Sequence, residues 1–173
     1  MQYSIGVEYS LHCLVYLINL PKNSSITIKE LSAFQGISDT YLAKIFSKLS
    51  KAGIVIAVPG TKGGFRLAKD STDITFFDVI EAIEGSKPIF QCKNIKDKGY
   101  FYRNQDHLSL DNEVSNCTSC QSFCTINIVM LEAEEKMRDY LRSKTLFWLH
   151  KELDSVLPKK LREDTRLYFS KNS

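Results

Sequence analysis

Hydrophobic residues recur at helical spacing near the start of the chain. Residues 5–20 are apolar on almost every side, which predicts a largely enclosed helix. Cys13 falls within one of the apolar stripes, and a lone cysteine in that setting is more often a small core residue than a ligand. We therefore predict a core helix that includes Cys13.

Two helices joined by a tight turn are predicted next. Thr27 and Glu30 have the spacing of a capping box, in which a hydroxyl and a carboxylate satisfy free amides at a helix start, so a helix should begin at Ile28. Gly36 ends this helix, and Ser38 provides the N-cap of the next one. The apolar residues of the second helix share one face: Leu42, Ile45, Phe46 and Leu49. Its other faces are polar and basic.

A hairpin and further helices follow. The runs IVIAV and FRLA flank the turn cluster PGTKGG, which predicts a two-stranded wing. The run TFFDVIEAIEG predicts a helix that ends at Gly85, and helical spacing returns from Thr125 to about Leu153 with a break at Ser143. The fold class is therefore mainly α with a small β-hairpin wing, consisting of a winged helix-turn-helix domain plus a long dimerisation helix.

These patterns divide the chain into four regions. We expect a winged helix-turn-helix domain of the DNA-binding type at residues 1–85, a cysteine-bearing loop suited to sensing at 86–124, a dimerisation helix region at 125–155 and a C-terminal extension without an assigned function at 156–173. A long helix that projects from a small domain must bury its apolar stripe, and a symmetric second copy is the economical partner. This predicts a homodimer.

Charge is informative through its distribution. The whole chain has a net charge of only +3, but Thr27 to Asp70 contains seven Lys or Arg against three acidic residues. No apolar run reaches the roughly 18 residues of a membrane span, and the start has no basic region ahead of an uninterrupted apolar stretch. We expect a cytoplasmic protein without a membrane segment.

The basic excess lies on the surface that a helix-turn-helix uses to read double-stranded DNA. The second helix enters the major groove with its N-terminal part, and the wing contacts phosphates or the minor groove, where glycines allow a close backbone approach. The predicted DNA-binding residues are Ser38, Thr40, Tyr41, Lys44, Lys48, Lys62, Gly63 and Arg66. The alternatives are a merely solvated lysine face and a winged helix used for protein docking.

Four of the five cysteines suggest a metal site. Cys117, Cys120 and Cys124 follow a C-x2-C-x3-C spacing, and Cys92 adds a fourth thiolate if the loop folds back. Soft thiolates suit an iron–sulfur cluster or zinc, whereas the isolated position of Cys92 argues against the paired cysteines of structural zinc sites. The C-x2-C lacks the βαβ context of a redox dithiol, so we predict neither an enzyme nor a small-molecule substrate.

Several segments together resemble the Rrf2 family of bacterial regulators. They are YSIGVEYSLHCLVYL, the helix-turn-helix block, the wing GTKGGFRLAKD, the helix ITFFDVIEAIEG and a cysteine-bearing loop ahead of a long helix, covering about residues 1–150. The resemblance implies a dimeric winged-helix repressor or activator whose long helices cross between subunits. Many members ligate an iron–sulfur cluster through three loop cysteines, whereas others lack the cluster and work through a protein partner.

The resemblance also assigns the ligands. The family's first cysteine falls on Cys92, its last on Cys124 and its middle one on Cys120 or Cys117. The position of the family's C-x2-His ligand is occupied here by Asn127. Either the fourth cysteine replaces that histidine, which the extra thiol favours, or an acidic ligand comes from the N-terminal helix of the other subunit. The comparable acidic residue of this chain is Glu8.

The sequence therefore predicts a homodimeric transcription regulator of a pseudo-palindromic operator. It would sense iron, redox state or nitric oxide through a 2Fe–2S or 4Fe–4S cluster. One alternative is a cluster-free regulator of the same fold, switched by thiol oxidation or a protein partner. The other is a protein-interaction module stabilised by zinc.

Overall fold

The computed structural model describes residues 3–18, 20–21, 24–60, 63–93, 95 and 124–170. The helices are α1 (Ile5–Ile18), α2 (Ile28–Gln35), α3 (Asp39–Lys51), α4 (Phe76–Glu84), α5 (Thr125–Arg142), α6 (Leu146–Val156) and α7 (Lys159–Ser170), and the strands are β1 (Val55–Val58) and β2 (Gly64–Leu67). This confirms the mainly α fold with a small hairpin. Two compact units are present, one of residues 1–87 with 139–173 and one of residues 88–138.

The helix-turn-helix forms from the local signals that the sequence contains. The hydroxyl of Thr27 accepts a hydrogen bond from the Glu30 amide at 3.1 Å, and the Glu30 carboxylate accepts one from the Thr27 amide at 2.7 Å. Gly36 follows α2 in the left-handed conformation (φ 67°), and the Ser38 hydroxyl accepts the Tyr41 amide at 3.3 Å. The predicted capping box, turn and second N-cap are confirmed.

The buried face of α3 forms part of the core of the first unit. The predicted face of Leu42, Ile45, Phe46 and Leu49 is buried, and Phe46 packs on Phe65 of the wing with 5.0 Å between ring centroids. Helix α1 packs against α3, α4 and α6. Cys13 is fully buried on α1, and this burial raises the pKa of its thiol to about 12. Its assignment to the core is confirmed.

The wing is held by a third segment of chain. Strands β1 and β2 pair antiparallel from Val55 with Leu67 to Val58 with Gly64, and Ile26 adds an isolated bridge to Phe65. A Cβ atom at Gly64 would lie 2.5 Å from the Ile26 carbonyl oxygen. Glycine at this position therefore allows the segment before α2 to pack on the wing.

The break between α5 and α6 pairs with the segment before α4. The Phe76 amide donates to the Lys144 carbonyl oxygen at 2.8 Å, and the Leu146 amide donates to the Ile74 carbonyl oxygen at 2.9 Å. Leu146 is fully buried in consequence. The predicted break near Ser143 is confirmed, and it attaches α6 to the first unit.

The C-terminal helix α7 folds back on the helix-turn-helix domain. Phe169 of α7 is buried, and its ring lies 5.1 Å from that of Tyr16 on α1 and 5.0 Å from that of Phe34 on α2. Tyr168 lies 4.9 Å from Phe34. We call these four residues the aromatic cluster. The extension to which the sequence assigned no function is thus part of this unit's core.

Candidate nucleic-acid interface and metal ligands

The recognition helix α3 presents a polar outer face because its apolar face is buried. Only three residues separate α2 from α3, the short turn expected of a helix-turn-helix. Ser32 of α2 is buried and its hydroxyl donates to the Asp39 carboxylate, which fixes the first turn of α3 to α2. Ser38, Thr40 and Lys44 are exposed at the N-terminal part of the helix.

Two of the predicted contact residues also contact other helices of the fold. The Tyr41 ring, which is 38% exposed, meets Tyr9 of α1 edge to face at 6.1 Å. The Lys48 ammonium donates to the Ile83 carbonyl oxygen at 2.7 Å. Tyr41 therefore combines packing with exposure, and Lys48 is directed toward the end of α4.

The wing also presents a basic residue. Arg66 is exposed on β2, opposite Ile56 of β1 in the antiparallel register. Lys62 lies outside the described residues. A Cβ atom at Gly63 would lie 2.4 Å from the Val58 carbonyl oxygen, so the packing of the hairpin already requires glycine there. A duplex contact at Gly63 stays a prediction.

The structure describes two of the four predicted cysteine ligands. Cys92 and Cys124 are half-buried in the unit of residues 88–138, whereas Cys117 and Cys120 lie outside the described residues. The Cys124 carbonyl oxygen accepts the Ile128 amide at 3.0 Å, which places this cysteine at the start of α5. Within the described part of the chain, the structure brings together no group of three or more metal-ligating residues.

The structure places the acidic candidate ligand, Glu8, and the residue at the position of the family's histidine, Asn127, in different settings. Glu8 is exposed in the first turn of α1, and Asn127 is buried on α5. Sequence reasoning missed a third residue, Glu134, which is buried on α5. Its carboxylate accepts the Ile89 amide at 3.0 Å and pairs with Arg138, so it attaches the segment leading to Cys92 to α5. The Glu-x3-Arg spacing is the only local signal for it.

Comparison with known proteins agrees with this architecture. The family model Rrf2, described as an iron-dependent transcriptional regulator, matches residues 3–152. YwgB of Bacillus subtilis, which is named as an HTH-type transcriptional regulator, is 31% identical over 146 residues, or 84% of this chain and 82% of YwgB.

Solved structures share the fold at lower identity. IscR of T. potens is 22% identical, with a TM-score of 0.62 over 92% of this chain and 93% of that one. CymR, the global cysteine regulator of B. subtilis, is 20% identical, with a TM-score of 0.58 over 88% of this chain and 98% of that one. At these identities the similarity concerns the fold.

The helix-turn-helix, its wing and the basic outer face define a winged-helix DNA-binding regulator. The match over nearly the whole chain goes further: the protein belongs to the Rrf2 family of transcriptional regulators. It is therefore a regulator and not an enzyme. Among the described helices, none combines the length and the hydropathy that crossing a membrane requires.

Proposed function

We propose that this chain is a cytoplasmic homodimer that binds a pseudo-palindromic operator and senses iron, redox state or nitric oxide through its loop cysteines. The observation that carries the DNA contact is the outer face of α3, where Ser38, Thr40 and Lys44 are exposed above a buried apolar face. Short hydroxyl side chains and lysine at this end of a recognition helix reach base edges and phosphates in the major groove. Tyr41 adds to this surface, and the wing contributes Lys62, Gly63 and Arg66.

The homodimer is supported by the distribution of side chains on α5, where polar residues are buried and apolar residues are exposed. The buried side of this helix carries the polar residues Asn127 and Glu134, whereas Ile126, Val129 and Tyr140 are 69%, 56% and 63% exposed. These three lie on one side at about 100° per residue. Burial of an apolar face of this length against a partner is stabilising. The same face of α5 in a second copy of the chain would give a symmetric interface.

The cysteine chemistry fits a resident cluster. Cys92, Cys117, Cys120 and Cys124 would hold it, and it would supply a centre that changes charge and ligation with oxygen, iron supply or nitric oxide. Cys124 lies at the N-terminal end of α5, where its carbonyl oxygen accepts the Ile128 amide. Cys13 is excluded as a ligand because it is buried in the core as a neutral thiol.

The proposed mechanism is a shift between two populations of the dimer. The cysteine segment joins α4 to α5, so a change in its ligation would alter how the two recognition helices are spaced. Half-sites one turn apart are separated by about 34 Å, and only a dimer with matching spacing engages both. Operator affinity would then follow the state of the cysteines.

Anaerobic purification followed by an absorption spectrum and iron, sulfide and zinc analysis tests the cluster. We expect brown protein with matching iron and sulfide, lost when Cys120 and Cys124 are both replaced by alanine. A Cys13→Ala variant is the control and should keep its iron. Colourless protein with bound zinc, or with reversible disulfides and no metal, would contradict the cluster and favour one of the two alternatives.

Substitution of Lys44 by methionine tests the DNA-binding face. Each phosphate contact contributes about 0.9 to the slope of log affinity against log salt concentration, and a dimer carries two copies of Lys44. We expect duplex binding to weaken and the slope to fall by about 2. Lys160→Met removes an exposed charge from α7 and should leave the slope unchanged. If Lys44→Met and Lys160→Met both keep the salt slope of the unmodified protein, Lys44 is not a phosphate contact.

A further inference from the structure

We infer that Lys48 is a positioning residue that ties the recognition helix to the last turn of α4, instead of a phosphate contact. Its ammonium lies 2.7 Å from the Ile83 carbonyl oxygen, although the side chain as a whole is exposed. The carbonyl groups in the last turn of a helix have no partner within that helix. A lysine that donates to one of them satisfies it and is also favoured by the helix dipole.

The last turn of α4 is also fixed to α1. The Glu84 carboxylate accepts hydrogen bonds from the Ser4 amide at 2.9 Å and the Ser4 hydroxyl at 2.6 Å. These Ser4 hydrogen bonds lower the pKa of Glu84, and the nearby positive charges of Lys48 and Lys87 lower it further. Helix α3 and the start of α1 are therefore both held by the two residues at the end of α4, Ile83 and Glu84.

The N-terminal part of α3 reaches the same junction through Tyr41. A Cβ atom built on Gly6 of α1 would lie 3.3 Å from the Tyr41 hydroxyl oxygen and 3.4 Å from the γ2 carbon of Ile83. Because Gly6 lacks that atom, Tyr41 of the recognition helix and Ile83 of α4 both approach α1 closely. The junction thus includes both ends of α3, through Tyr41 and Lys48.

The position of this junction in the chain gives it a functional consequence, which rests on the proposed function. The chain leaves α4 at Gly85 and reaches Cys92 seven residues later. A change at Cys92 would be passed along these seven residues of chain to the turn that Lys48 holds. Lys48 would then transmit that change to the recognition helix. Its ammonium would do so through the hydrogen bond to the Ile83 carbonyl oxygen, without contacting a phosphate.

Lys48→Met, which keeps the aliphatic stem and removes the donor, separates the two roles. Hydrogen exchange of the free protein is the first measurement. The Gly85 amide donates to the Glu81 carbonyl oxygen at 2.9 Å, and loss of the Lys48 bond should accelerate its exchange about fivefold. Lys44→Met is the matched control and should leave this exchange unchanged, whereas Lys48→Arg should restore it.

The second measurement is the salt dependence of duplex binding. We expect the slope of Lys48→Met to equal that of the unmodified protein, in contrast to the decrease expected for Lys44→Met. The affinity ratio between cluster-loaded and cluster-free dimers should also fall toward one. A slope lowered by about 2 with unchanged Gly85 exchange would overturn the inference, as would no change in either quantity.

These readouts distinguish the inference from the proposed function. If the unmodified protein binds duplex with the same affinity in both cysteine states, the sensing proposal fails. The exchange at Gly85 and the salt slope still decide whether Lys48 positions α3, because neither depends on a cluster.

Discussion

Phe169→Ala should lower the free energy of unfolding by about 3 kcal/mol, since removal of a buried phenylalanine ring generally costs 3 to 5 kcal/mol. The ring lies in the aromatic cluster, against Tyr16 of α1 and Phe34 of α2. Its loss removes apolar burial together with the ring contacts to Tyr16, Phe34 and Tyr168. Because Phe34 belongs to the first helix of the helix-turn-helix, the variant should also bind duplex more weakly at temperatures near its unfolding midpoint.

Urea unfolding at a fixed protein concentration measures this effect. Leu167→Ala is the matched control, because Leu167 lies on the same helix and is 54% exposed. It should change the free energy of unfolding by less than about 0.5 kcal/mol. Equal free energies of unfolding for Phe169→Ala and Leu167→Ala would show that α7 does not pack on α1 and α2 in solution.

Ile126→Asp should raise the dissociation constant of the dimer by about 100-fold or more. The side chain is 69% exposed on the apolar face of α5. Two copies of a carboxylate would be buried without partners if this face forms the dimer interface, and each burial costs several kcal/mol. Operator affinity should fall with it, because a monomer engages only one half-site.

The control for this variant uses the same substitution on the opposite side of α5. Ile128 is also exposed, at 41%, and lies about 160° around the helix from Ile126. Ile128→Asp should leave the dimer intact in sedimentation velocity experiments over a series of concentrations. Dissociation by Ile128→Asp alone would place the interface on the other face of the helix.

The local elements of this fold could be predicted because their causes lie within a few residues of one another. The capping box of Thr27 and Glu30, the N-cap at Ser38 and the buried face of α3 each depend on spacings of three to seven positions. The predictions made from these spacings are confirmed. They also place Lys44 on an exposed face, which the structure confirms.

The contacts that sequence reasoning missed join residues that are far apart in the chain. Lys48 meets Ile83 across 35 positions, and Glu134 accepts the Ile89 amide across 45. Neither spacing has a local signature, because such contacts depend on how whole elements pack. The same holds for α7, whose charged pattern suggests a helix but gives no indication that Phe169 closes the core of the first unit.

In the proposed mechanism the state of the cysteines sets operator affinity. Its most direct test is a titration of an operator duplex, selected from a random-sequence pool, with anaerobic dimers that carry the cluster and with dimers freed of it, at one salt concentration. We expect dissociation constants that differ by about fivefold or more, as is typical of an allosteric coupling. Equal dissociation constants for the two forms would contradict it.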